Sequence, residues 1–179
     1  MKTETCQAVL GIDLGTSSVK SLLMAVDTGD TLAQAAVDYL LSMPQPGWVE
    51  QNPSDWLTSA IKSVQHVMQQ AEVQPEDVIA VSFSGQMHGL VCLDKRREVV
   101  RPAIIWADQR SVEQCEKIKR TLPSDILIHD VCNPVVTGFM LPSWLWLKQH
   151  ERETVRKTRW LLLPKDYLRL CFTGELYSE

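Results

Sequence analysis

The residues whose chemistry is easiest to place stand near the N-terminus. Asp13 closes a short apolar run, and Gly15, Thr16, Ser17 and Ser18 follow it, with Lys20 two residues further on. A glycine lets the backbone reverse sharply and come close to a ligand, while small hydroxyl residues leave amide N–H groups and hydroxyls to meet phosphate oxygens. A carboxylate beside such a turn can hold a magnesium ion through water. Phosphoryl transfer is mostly positioning and charge neutralisation, so a hairpin of this kind is the part a phosphotransferase needs. By spacing alone, a plain hairpin in which Asp13 caps backbone amides fits equally well.

A second constellation stands in mid-chain. Gln86, Met87 and His88 follow an apolar run, and Trp106, Asp108 and Arg110 lie close together after Ile104 and Ile105. An imidazole can donate to or accept from a hydroxyl, and a methionine can wall off a carbon chain. A tryptophan after two isoleucines is more often core packing, and an Asp–Arg pair at a helix start is more often an ion pair than a ligand site. The Gly-x-x-x-x-Gly-Lys-Ser/Thr and Gly-x-Gly-x-x-Gly phosphate motifs are both absent, which disfavours a P-loop or dinucleotide fold.

The elements that must carry these residues follow from period and punctuation. Residues 8–14 and 19–26 are apolar runs and 31–41 is β-prone, which reads as three strands of a meander, with Asp27, Thr28, Gly29 and Asp30 suited to the second reversal. After a Pro-rich loop at 43–47, Asn52 reads as an N-cap and Pro53 as the first helical residue. Trp56, Ala60, Val64, Val67 and Ala71 then recur at helical spacing. Residues 78–84 read as a buried strand with 90–93 as its hairpin partner. Helices are expected over 109–120 and 143–150, an apolar segment over 160–163, and a last helix between Pro164 and Gly174. Meander, helix, strand and mixed helices predict an α/β layered domain, here a single one over residues 1–179.

Composition narrows the partners. A net charge of −4 with 45% apolar residues lacks the basic stripe that nucleic acid demands. Gln7 and Asp13 interrupt the N-terminal apolar run, and no segment approaches the roughly 20 apolar residues of a membrane helix. A cytoplasmic protein is expected, with no nucleic acid and no membrane as partner. Cys6, Cys92, Cys115, Cys132 and Cys171 form an odd set that suits reduced thiols, and the scattered histidines do not suggest zinc.

The segment Gly11-Ile12-Asp13-Leu14-Gly15-Thr16-Ser17 resembles the first phosphate motif of the actin-like ATPase superfamily, which includes the FGGY carbohydrate kinases. Phe83-Ser84-Gly85-Gln86-Met87-His88-Gly89, the stretch 101–110 and the tail 162–175 resemble the xylulose kinase branch of that family. The resemblance implies a ribonuclease H-like α/β fold: a mixed sheet with a three-strand antiparallel meander and flanking helices. It implies ATP and Mg2+ as cofactors, with Asp13, Gly15, Thr16, Ser17 and Lys20 at the phosphates and Asp13 holding the metal through water. A small sugar, D-xylulose above all, would meet Gln86, Met87, His88 and Trp106, with Asp108 helping to shape the pocket. The resemblance leaves room for a homodimer. FGGY kinases have two actin-like domains and an aspartate base in the second, so no catalytic base is expected within these residues and the isolated chain is expected to be inactive. Met140 and Ser143 depart from the family signature, which has a small hydroxyl residue or proline at the first position and lysine at the second. That departure keeps open a kinase for another sugar, such as ribulose or gluconate. A non-catalytic sugar-binding module of this length is a further alternative.

Overall fold

A computed structural model describes residues 7–178; Cys6 lies outside them. In chain order the elements are β1 (Ala8–Leu14), β2 (Ser18–Ala25), β3 (Thr31–Asp38), β4 (Glu50–Gln51), α1 (Pro53–Ala71), β5 (Val78–Gly85), β6 (Gly89–Leu93), β7 (Ala103–Ile105), α2 (Val112–Thr121), α3 (Ser124–Ile126), α4 (Met140–His150), α5 (Arg152–Lys157), β8 (Trp160–Leu162) and α6 (Pro164–Thr173). One 3-10 turn precedes β5, and one π turn, Leu127–Val131, follows α3. The chain divides into two compact units.

The first unit comprises the residues up to Leu40, Ser54–Gln86 and Leu168–Glu175. Its sheet runs β3-β2-β1-β5, antiparallel through the meander and parallel between β1 and β5. Alternation along β1 sends Ala8, Leu10, Ile12 and Leu14 to one buried face and leaves Val9, Gly11 and Asp13 on the other. Trp56, Ala60, Ser63 and Val67 share the buried stripe of α1, and Ser63 hydrogen-bonds Ser21 of β2 at 2.6 Å, which seats the helix on that sheet face. The predicted helix start and most of its core face are therefore observed. Val64 and Ala71 are only half-buried.

The reading of 78–84 is corrected. This segment is a strand, but it lies at the sheet edge, with Ile79 and Val81 exposed at 53% and 47%. It does not form a hairpin with 90–93. The backbone amide of Gln86 donates to the carbonyl of Leu14 at 2.8 Å, so the chain follows β1 to its end and leaves this sheet before β6 begins.

The second unit comprises Leu41–Pro53, Met87–Tyr167 and Leu176 onward. Its sheet, β4-β7-β6-β8, is antiparallel throughout. Leu90, Cys92, Ile104, Trp146 and Leu147 form its core, with Trp48, Val100, Met140, Trp144, Val155 and Leu161 packed around them. β6 is buried along its whole length, so its residues form a continuous apolar run without alternation. Helices α2 and α4 begin at Val112 and Met140, each three residues from the expected starts. Among the described residues no helix is long and apolar enough to cross a membrane.

Candidate functional site

In the first unit the turn between β1 and β2 is closed by the Gly15 amide donating to the Ser18 carbonyl at 3.0 Å. A Cβ built at Gly15 would stand 3.0 Å from that same oxygen, so close approach explains the glycine. Asp13 pairs in register with Lys20 on one side and Ser84 on the other. All three line an open cavity of about 630 Å3 on the face opposite the core. Ser17 and Lys20 are exposed, and Asp13, Gly15 and Thr16 are half-buried.

Gln86, expected among the sugar contacts, also serves the hairpin. It is buried, and its side-chain amide donates to the Gly15 carbonyl at 2.9 Å. It therefore belongs to the hairpin. Tyr39, which sequence reasoning missed, joins it: the phenol donates to the same carbonyl, and the Tyr39 amide donates to the Ser17 carbonyl at 3.0 Å. Burial raises the phenol's pKa above its ordinary value, opposed by the Gln86 hydrogen bond and reinforced by the charge of Asp13.

The second unit holds Met87, His88 and Trp106. Met87 and Trp106 are 59% and 50% exposed, a large apolar surface for residues so close to the core strands β6 and β7. The His88 ring stacks on Phe139, with centroids 3.7 Å apart and planes 13° from parallel. Stacking occupies a ring face and fixes the imidazole plane, leaving the edge nitrogens to hydrogen-bond. Gly138 explains how Phe139 gets there. Its φ is +74°, and a Cβ would come within 2.1 Å of the Trp106 carbonyl oxygen, so only glycine lets this loop lie on the Trp106 backbone. Phe139 was also missed; a lone aromatic before a helix carries no sequence signal of its partner.

Asp108, expected to help shape the sugar pocket, is held by protein groups. It is fully buried, and its carboxylate accepts from the Val49 amide at 2.7 Å, the Arg110 amide at 2.9 Å and the Arg110 guanidinium at 2.8 Å. The Arg110 side chain is itself fully buried, its guanidinium 4.0 Å over the Trp48 ring, and pairs with Glu50 at 2.8 Å. Glu50 also pairs with Arg101. The carboxylate is occupied by protein groups and supports the loop behind Trp106. Glu50 and Arg101 could not be paired from sequence, since 51 residues separate them.

The two departures from the family signature lie in α4, Met140 half-buried and Ser143 buried. Met140 packs against the core of the second unit, and Ser143 is fully buried, so both act on the seating of α4.

Among the described residues no group of three or more His, Cys, Asp or Glu could hold a metal by itself. A lone, half-buried carboxylate beside an open cavity, as Asp13 is, fits magnesium, which keeps several waters and takes one or two carboxylates together with phosphate oxygens.

Comparison with known proteins bears on the family and the fold. Residues 8–179 match the FGGY family of carbohydrate kinases, N-terminal domain. The chain is 43% identical over 171 residues to a xylulose kinase of Bacillus subtilis, covering 96% of this chain and 34% of that protein. It is 39% identical over 170 residues to a xylulose kinase of Escherichia coli K12, covering 95% and 34%. A solved structure of a "xyloylose kinase" from Brucella ovis superposes with a TM-score of 0.86 at 35% identity, covering 94% of this chain and 34% of that one. The chain thus spans about a third of the length of these relatives. The mixed sheet with its antiparallel meander and flanking helices is the actin-like ATPase fold, and the chain belongs to the FGGY family of carbohydrate kinases, whose N-terminal domain it represents.

Proposed function

We propose that the protein containing this chain is a cytoplasmic kinase that transfers the γ-phosphoryl group of ATP to a hydroxyl of a ketopentose, D-xylulose before other sugars. The observation that carries the reading is the second-unit cluster: an imidazole held flat by Phe139 beside the exposed apolar surfaces of Met87 and Trp106. A ring nitrogen would exchange a hydrogen bond with a sugar hydroxyl, while the methionine and the indole cover the carbon skeleton. Asp108 contributes by supporting the loop that carries Trp106.

Asp13 and Lys20 take the phosphate side, with Gly15, Thr16 and Ser17 forming the turn around it. Asp13 would hold magnesium through water, and the metal would neutralise charge on the nucleotide's phosphates. These residues bind and orient the two reactants, and the general base must stand within hydrogen-bond reach of the hydroxyl it deprotonates. The xylulose kinase relatives support D-xylulose as acceptor.

The test is turnover by the full-length protein with MgATP and a panel of D-xylulose, ribulose, gluconate and glycerol. D-xylulose is expected to give the highest kcat/KM. His88→Ala should raise KM for the sugar by about tenfold, as loss of one hydrogen bond would. Asp13→Ala should lower kcat by about two to three orders of magnitude. Wild-type turnover in both variants would defeat the assigned roles, and a clear preference for another sugar would replace the substrate.

A further inference from the structure

We infer that Tyr39 is a positioning residue for phosphate recognition: with Gln86 it turns the hairpin's carbonyl oxygens inward, so that the turn meets a polyanion with its amide side. The inference deepens the reading of the hairpin as a phosphate site and rests on it.

A tight turn exposes carbonyls as readily as amides, and a carbonyl oxygen facing a phosphate repels it. Here the carbonyls of three turn residues are engaged by the protein. Gly15 O accepts from the Tyr39 phenol and from Gln86 Nε2 at 2.9 Å. Ser17 O accepts from the Tyr39 amide at 3.0 Å, and Ser18 O accepts from the Gly15 amide at 3.0 Å. The phenol also lies 3.4 Å from Ser18 O. Tyr39 therefore touches all three of these carbonyls, one through its backbone and two through its hydroxyl.

Peptide planarity converts this into an orientation for the amides. No peptide bond among the described residues is cis, and in a trans peptide the C=O of one residue and the N–H of the next point in opposite directions. With Gly15 O drawn toward Tyr39 and Gln86, the Thr16 N–H must point away from them. Two donors on one oxygen also cancel much of its partial negative charge. The phenol suits this task because it is a neutral O–H donor at neutral pH.

The test uses full-length Tyr39→Phe, which keeps the ring and the backbone hydrogen bond and removes only the hydroxyl. Binding of MgATP, MgADP and adenosine is measured by calorimetry, with the sugar KM in parallel. Loss of one hydrogen bond should weaken MgATP and MgADP by about 2- to 12-fold. Adenosine affinity and sugar KM should stay at wild-type values. A hydroxyl with only a structural role would weaken all three ligands alike, and that result overturns the inference, as does unchanged MgATP affinity. Absence of MgATP binding by the wild type would instead remove the phosphate-site reading and this inference with it. Should Tyr39→Phe not fold, Gln86→Met removes the other donor to Gly15 O and is held to the same graded loss.

Discussion

Replacing Arg110 by methionine tests whether the buried charge network holds the loop behind Trp106. The guanidinium is fully buried, 4.0 Å over the Trp48 ring and 5.1 Å from the Trp146 ring centre. It pairs with Asp108 and with Glu50, each at 2.8 Å. Methionine follows the aliphatic stem but leaves Asp108 with only the Val49 and Arg110 amides as donors. Removing one partner of a buried ion pair costs about 3–5 kcal/mol, because the other charge is left uncompensated. Glu50 retains Arg101, which places the loss toward the lower end, and the lost cation–π contact adds roughly 1 kcal/mol. We expect Arg110→Met to lose about 3–4 kcal/mol, two to three orders of magnitude in the folding constant. Urea denaturation followed by tryptophan fluorescence reads it, since Trp48 and Trp146 flank the substituted side chain. The double variant Asp108→Asn/Arg110→Met should fall short of the sum of the singles by about 1–2 kcal/mol, because the orphaned carboxylate is then gone. Arg156, which pairs with Glu153 while both are more than two-thirds exposed, is the control and should show no measurable change on truncation. A loss below about 1 kcal/mol for Arg110→Met, or strict additivity, would refute the argument.

Three further outcomes follow from single sites. Burial pushes the Cys92 thiol up to about 11, against smaller opposing effects of Thr158 and Arg101; iodoacetamide at neutral pH should modify exposed Cys132 and leave Cys92 untouched until denaturant is added, as peptide mass spectrometry would show. The folded Tyr39 phenol ionises above its ordinary value of 10.0, so the unfolded chain loses that proton first. Its stabilising contribution is therefore whole below pH 10 and declines above it, and Tyr39→Phe should flatten the fall of stability through that range. Gly138→Ala places a Cβ 2.1 Å from the Trp106 carbonyl at a φ of +74°; the loop must shift, with a loss of about 1–3 kcal/mol and a higher sugar KM, and wild-type values for both would count against the loop's role.

The sequence was most legible where local period and local chemistry agree. The meander could be read because β1 is an apolar run closed by Asp13 and Gly15 and the reversal after β2 is made by Asp27–Asp30 itself, with the Ala25 amide bonding the Asp30 carbonyl at 2.9 Å. Helix α1 could be read because Pro53 and the Trp56–Ala60–Val67 stripe are local facts. Strand pairing was not legible in the same way. Residues 78–84 and 90–93 look like two arms of a hairpin, and nothing in their composition says that one pairs with β1 and the other with β7 and β8. The second sheet was missed because its other strands have only two or three residues, too few to show a period.

The site divides along the same line, and the division has a consequence for how such residues should be ranked. Asp13, Lys20, Met87, His88 and Trp106 carry their chemistry on side chains that remain accessible, and residue type alone brought them forward. Gln86 and Asp108 sit in equally suggestive company, yet both are buried and already bonded to their own protein. Their amide and carboxylate can each serve a ligand or a loop, and only burial distinguishes the two uses. Tyr39, Glu50 and Phe139 are the converse: bland in sequence, each acts on a residue that was already a candidate. Tyr39 reaches back 24 residues to Gly15, Glu50 reaches forward to Arg101 and Arg110, and Phe139 lies flat on His88. A motif therefore names the groups that can do the chemistry, whereas the partners that hold them in place are set by long-range packing. Substitutions at Tyr39, Arg110 and Phe139 then test the site more sharply than substitutions within the motifs, because each changes the position of a functional group while leaving that group in the protein.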